Sequence, residues 1–410
     1  MSLLSVDQAR ERILSHFQSL TIETLPLAEA SQRVLAEDIA AANDLPPFDN
    51  SSMDGFAVRA ADVEGGTKDE PRSLRVIADI PAGSHPTISL AAGEAARIMT
   101  GAPVPTGADA VIPVEDTNFN DRDAGAPPPD EVQIFNPAKP GWNIRRRGMD
   151  ILSGETVLHK GRLLKPQDLG LLAMLGFANV SVFRKPRVAL FSSGDELLPP
   201  DAPLEAGKIR DSNSFTLAAL VEDAGAEVTR LGVAKDSYDS VKALLEKAVD
   251  SNVDLILSSA GVSVGAFDFV KQVIESNGNM DFWRVNMRPG KPVAFGDYKE
   301  IPFIGLPGNP VSAFVGFEVF VRPALGKMNG LLDGRRPTVR VRCAEQIDSD
   351  GRESYLRAQV ETEEGTFVAR LTGHQGSGNL HSLVQANALL IIPAGVKCVP
   401  AGQELQAWLI

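Results

Sequence analysis

The chain is poor in the residues that build cross-linked or zinc-clipped frameworks. Among 410 residues there are two cysteines and five histidines. Cys343 and Cys398 lie far apart without C-x-x-C spacing, which excludes a disulfide framework or a thiolate zinc site and leaves buried apolar thiols as the expectation. His16, His85, His159, His374 and His381 are scattered with no H-E-x-x-H pair, so histidine-ligated zinc is not expected. No apolar run approaches the ~20 residues of a membrane span. The opening MSLLSVDQARERI is amphipathic and lacks a signal-peptide core. Positive charge is short as well: 40 Lys and Arg against 53 Asp and Glu give −13. That balance argues against non-specific nucleic-acid or anionic-membrane binding, and an anionic substrate would need a local basic pocket. The expectation is a soluble, cytoplasmic protein long enough for more than one domain.

What is present centres on the stretch Val253 to Asp268, VDLILSSAGVSVGAFD. An apolar run, Val253 to Leu257, ends in small residues, and a helical pattern from Phe269 to Ser276 follows. A run apolar on both faces reads as a central parallel strand. Ser259, Gly261, Ser263 and Gly265 let backbone N–H groups approach an anion, and the next helix directs its partial positive charge the same way. Asp268 can cap that helix or hold a cation. An ordinary strand, turn and capped helix would look the same locally.

Upstream, Val6 to Leu20 has helical apolar spacing, and Leu27 to Ala41 repeats that character until Pro46-Pro47 breaks it. A turn-rich cluster, Phe48 to Val58, follows. Leu74 to Ile80, Ala95 to Met99 and Ala110 to Val114 read as strands of a small inserted β domain, with a Pro-rich polar excursion from Asn118 to Glu131. Arg145, Arg146 and Arg147 cannot share one face, so some are expected in solvent. Pro166 opens a further helix.

From Arg187 to Gly326 strand and helix alternate, which predicts an α/β fold with an open, mostly parallel sheet covered by helices. Such sheets bind ligands at the carboxyl ends of their strands. Three loops fall there: Ser192 to Leu197, Ser258 to Asp268, and Leu306 to Pro310. After residue 334, strands at Thr338 to Cys343, Tyr355 to Glu361, Thr366 to Leu371 and Ala388 to Ile392 predict a C-terminal β-barrel.

Taken together, DNSSMDGFAV, RIMTGAPVPTGADAVIPVEDT, NIRRRGMDI, SSGDELL, SSAGVSVGAFDFVK, MRPGKPVAFG, GLPGNPVSA and GHQGSG, in order over residues 49 to 378, resemble the MoeA family of molybdopterin molybdenumtransferases, related to the gephyrin E domain. The resemblance implies four domains: a helical one in two parts (1–45 and 141–180), an inserted β domain (46–140), an α/β molybdopterin-binding domain (181–330) and a β-barrel (331–410). It implies a homodimer that inserts molybdate into adenylylated molybdopterin, releases AMP with the help of Mg²⁺, and could meet the adenylyltransferase or apo-enzymes.

By the same resemblance Asp54, Thr100, Asp150, Glu196, Asp236, Asp268 and Lys291 are catalytic, with Glu196 and Asp268 as metal ligands. Gly194, Ser259, Gly261, Ser263, Gly265, Arg288, Pro307, Gly308, Pro310, Arg357 and Ser377 are substrate-binding. Ala260 stands where the family commonly has glycine, and Arg288 where lysine is frequent. A molybdopterin adenylyltransferase, or a dimeric scaffold holding a partner peptide without chemistry, are the alternatives; the extra domains and the retained carboxylates count against them.

Overall fold

The run that centres the sequence is the strand Leu255–Ser259, and all five of its residues are buried. In the computed structural model, which describes residues 3–119, 121, 126–260 and 269–410, it lies third in a six-stranded sheet. The order is Glu227–Ala234, Arg187–Ser193, Leu255–Ser259, Ile301–Leu306, Pro292–Tyr298, Gly278–Arg284. The first four strands are parallel and the last two antiparallel to their neighbours. Side chains alternate between two helical layers, as period two demands. Val188, Leu190, Leu255, Leu257, Ile304 and Leu306 join one core with the helices Val6–Ser15, Asn213–Asp223 and Pro310–Gly316. Ala189, Phe191, Ile256 and Phe303 join the other, under Tyr238–Asp250 and Phe269–Asn277. Strands covered on both faces need apolar residues at every position, which is why these runs are continuous.

The chain forms two compact units. One comprises Met1–Glu37, Lys160–Ala173 and Phe177–Ile410; the other comprises Asp38–His159 and Met174–Gly176. In the larger unit the closing helix of the α/β part runs on from Pro310–Gly316 through a π-helical turn, Phe317–Val321, into Arg322–Met328. Glu318 in that turn is buried and is held by Arg322 Nε at 2.6 Å and Arg336 Nε at 3.1 Å, while both arginines also reach Asp223. Five strands then close a ring: Glu353–Glu363, Thr366–Leu371, Thr338–Cys343, Glu404–Leu409, Ala388–Ile392 and back to the first. The expected barrel is present, with Glu404–Leu409 as a strand absent from the sequence reading.

In the smaller unit five strands follow the order Ala110–Pro113, Gly55–Val58, Glu94–Ile98, Arg72–Ile80, Glu131–Ile134. The helical reading of Leu27 to Ala41 is corrected. That segment holds a short 3-10 turn, Leu27–Glu29, and the strand Ile39–Ala40, while Ile22–Pro26 just before it pairs with Asn179–Phe183. Pairing across some 150 residues overrides a local helical period. The arginine run is exposed, as expected, and each member also meets a carboxylate: Arg145 with Asp150, Arg146 with Asp49, Arg147 with Asp44. No helix among the described residues is long and apolar enough to cross a membrane.

Candidate active site

At the carboxyl end of Arg187–Ser193 the chain turns through Gly194 at φ +151, a backbone region that essentially only glycine enters. The Glu196 carboxylate folds back over it: a methyl group on Gly194 would stand 2.5 Å from Glu196 Oε2. Ser193 Oγ donates to Asp236 Oδ1 at 3.2 Å, and the Asp195 N–H to Asp236 Oδ2 at 3.4 Å. The Asp236 N–H returns a bond to Asp195 Oδ1 at 3.2 Å. Gly194, Glu196 and Asp236 are therefore one acidic cluster above the sheet edge. Among the described residues no three His, Cys, Asp or Glu are grouped to hold a metal ion. Asp268, Gly261, Ser263 and Gly265 lie outside the described residues.

A second cluster forms where the barrel meets the α/β part. Along Glu353–Glu363, Leu356, Ala358 and Val360 face the barrel core, and Tyr355 on the opposite face packs into the α/β core. Period two puts Arg357 on the Tyr355 face, where it is fully buried. Arg357 Nε donates to Ser382 Oγ at 2.9 Å, and its NH2 to the Gly376 carbonyl at 3.0 Å and the His374 carbonyl at 3.4 Å. Its NH1 is buried with no hydrogen-bond partner. Burial, and secondarily the charge of Arg288, lower the Arg357 pKa to about 10.

Arg288 is brought there by the two-residue strand Met287–Arg288, which pairs with Glu353 and Ser354. Gly290 packs on Ser312 of the helix Pro310–Gly316, so closely that a methyl group would lie 3.3 Å from the Ser312 carbonyl. The Val311 N–H donates to the Ser377 carbonyl at 3.0 Å. Arg288, Arg357, Ser377 and the loop Pro307 to Pro310 thus converge, with Pro307 buried and Gly308 exposed. Lys291, on the same MRPGKP loop, is exposed.

The two clusters are joined through the start of the helix Asn213–Asp223. Asp211 caps it by accepting from the Ser214 N–H at 3.1 Å and also accepts from Ser192 Oγ at 3.3 Å. Asn213 Nδ2 donates to Ser259 Oγ and to the Gly308 carbonyl, each at 2.7 Å. Asn213 has no place in the sequence reading; only the side-chain geometry reveals it. Ala260, next to Ser259, takes a φ of +71.

In the smaller unit the predicted pair meets directly: Asp54 Oδ1 accepts from both the N–H and Oγ1 of Thr100 at 2.7 Å. Asp150 accepts from Arg145 at 3.1 Å. A cavity of about 710 Å³ in this unit, lined by Trp142, Pro113, Pro140 and Asp109 among others, holds none of the predicted site residues.

Strand-end loops of serines and carboxylates, next to the buried Arg357 and the half-buried Arg288, define an α/β protein suited to anions, with appended β domains. Three family models match in sequence: the MoeA N-terminal region (domain I and II) over residues 4–176, a probable molybdopterin binding domain over 189–327, and the MoeA C-terminal region (domain IV) over 340–410. The chain belongs to the MoeA family. It is 44% identical over 393 residues to molybdopterin molybdenumtransferase 2 of Mycobacterium tuberculosis, covering 94% of each chain. It is 37% identical to the molybdopterin molybdenumtransferase of Haemophilus influenzae, covering 98% of each. The molybdopterin biosynthesis moeA protein of Pyrococcus horikoshii OT3 superposes with a TM-score of 0.83 at 33% identity, covering 100% of both chains.

Proposed function

We propose that the chain inserts molybdate into adenylylated molybdopterin and releases AMP, the last insertion step of molybdenum cofactor biosynthesis. The observation that carries this reading is Arg357: a fully buried guanidinium with an unpartnered NH1, held beside Arg288. A buried cation with an unused donor costs about 1–3 kcal/mol or more, and a tetrahedral dianion offset by charge-assisted bonds relieves that cost. Two adjacent arginines and the Ser377 loop suit molybdate in that place. The strand-end loops at Gly194, Ser259 and Pro307 to Pro310 suit the substrate's phosphates. Lys291, exposed on the MRPGKP loop, supplies further positive charge toward them.

Mg²⁺ belongs to the same reading. Glu196 folds into a cradle that only glycine at 194 leaves open, and few protein carboxylates plus phosphate and water suffice for this ion. Glu196, with Asp268, would hold it, and when bound it supplies Lewis-acid charge neutralisation at phosphate oxygen. Asp236, oriented by Ser193 and Asp195, keeps its carboxylate at the mouth of the same loop. By the family resemblance Asp54, Thr100 and Asp150 belong to the same reaction, and the protein is read as a homodimer. The division into 1–45 with 141–180, 46–140, 181–330 and 331–410 forms part of this reading.

The test is AMP release by purified protein given adenylylated molybdopterin, with and without molybdate. Release that rises with molybdate is expected, and Arg357→Met should raise the molybdate concentration for half-maximal rate by about 10- to 100-fold. AMP release indifferent to molybdate overturns the reading; consumption of ATP with unmodified molybdopterin would mark an adenylyltransferase instead.

A further inference from the structure

We infer that Asn213 is a specificity-determining residue whose side-chain oxygen accepts a hydrogen bond from an exocyclic amino group of the substrate's heterocycle; this rests on the proposed function. Asn213 is nine-tenths buried at the start of the helix Asn213–Asp223. Its Nδ2 bridges Ser259, at the end of the central strand, and Gly308, in the loop after Ile301–Leu306. A carbonyl oxygen only accepts, so the bond to Gly308 fixes which end of the amide is nitrogen. Both Nδ2 protons are then used. Two donated bonds account for the nitrogen and leave the oxygen unexplained. Asn213 Oδ1 is closed off from solvent and has no hydrogen-bond partner.

Buried side-chain acceptors are nearly always satisfied, and an orphan in the cleft between two ligand-binding loops calls for a donor that arrives with the ligand. The chemistry of that donor is constrained. An acceptor-only oxygen repels phosphate and molybdate oxygens, which excludes the anionic parts of the substrate. A hydroxyl would carry its own lone pairs into a dry site and leave them unpaired. An aromatic amino group donates and has no such lone pairs to strand. The substrate offers two sources, the adenine 6-amino group and the pterin 2-amino group, and either would enter between the loops that Asn213 ties together.

Binding of four probes to the full-length protein separates the outcomes: AMP against the same nucleotide without its 6-amino group, and pterin against its 2-oxo counterpart. Wild type should discriminate within one pair by about tenfold, because the analogue leaves a buried acceptor unpaired. The discriminating pair names the source. Asn213→Ala should bind both members of that pair alike, as should Asn213→Ser, whose hydroxyl can still donate toward Gly308. Equal binding within both pairs by wild type overturns the inference without any variant. So does discrimination that persists in either folded variant. Molybdate-dependent AMP release by wild type is read separately. Release without discrimination sinks this inference alone, and discrimination without release sinks the proposed function alone.

Discussion

Ala260 carries a methyl group at φ +71, in the left-handed region where a side chain is strained by about 1 kcal/mol. A Cβ on Gly308 would come within 3.3 Å of the Ala260 Cβ, so the two strand-end loops touch at this point. Ala260→Gly should therefore raise unfolding stability by about 0.5–1 kcal/mol in urea titration, while Gly308→Ala should lower it. Much at this scale was legible from the chain. Gly194 and Glu196 lie against each other, Asp236 accepts from Ser193 beside them, and separately Arg288 lies within electrostatic reach of Arg357; all five were named from the motifs. Asn213 was not legible, because an unpaired amide oxygen is a property of three-dimensional surroundings and leaves no mark on composition or spacing.

At the scale of elements, the buried Glu318 network locks the π-helical turn to the helix Asn213–Asp223 and to the linker at Arg336. Glu318→Gln leaves Arg322 and Arg336 together with Asp223 alone, and should cost about 3–5 kcal/mol of unfolding free energy by denaturant titration. Glu353, beside the strand Met287–Arg288, has its carboxyl pKa raised chiefly by burial, while Tyr355 donates a bond that lowers it; Asp7 and Arg10 lie within electrostatic reach. A raised carboxyl pKa means that the folded state holds the proton more tightly than the unfolded chain. The contribution is full below the ordinary value of 4.5 and lost as pH rises through the folded-state value. The melting temperature of Glu353→Gln minus that of wild type should thus grow as the pH is raised from about 5 to 7.5, as read by calorimetry. Period and punctuation foretold four of the barrel's five strands to within a few residues and missed Glu404–Leu409. They failed for Leu27 to Ala41, where the pairing of Ile22–Pro26 with Asn179–Phe183 is set by a partner far along the chain.

At the scale of the whole molecule, the proposed homodimer makes a quantitative claim about mixtures. Asp54→Asn and Glu196→Gln proteins should each be inactive alone. If each site draws Asp54 from one protomer and Glu196 from the other, unfolding and reassembling them together gives mixed dimers with one intact site, and about a quarter of wild-type turnover returns. No recovery, with dimers confirmed by sedimentation, removes Asp54 from the partner's contribution. The bed of Arg357 has a further consequence, since it lies in a ring closed by Glu404–Leu409, among the final residues of the chain. The strand that carries that guanidinium is closed into the ring only when Glu404–Leu409 pairs with Ala388–Ile392, well downstream of Arg357. Tyr355, Leu389 and Trp408 of that ring share one core with Val188, Leu255 and Ile304, so a change that loosens the ring reaches the central sheet as well as the bed of Arg357.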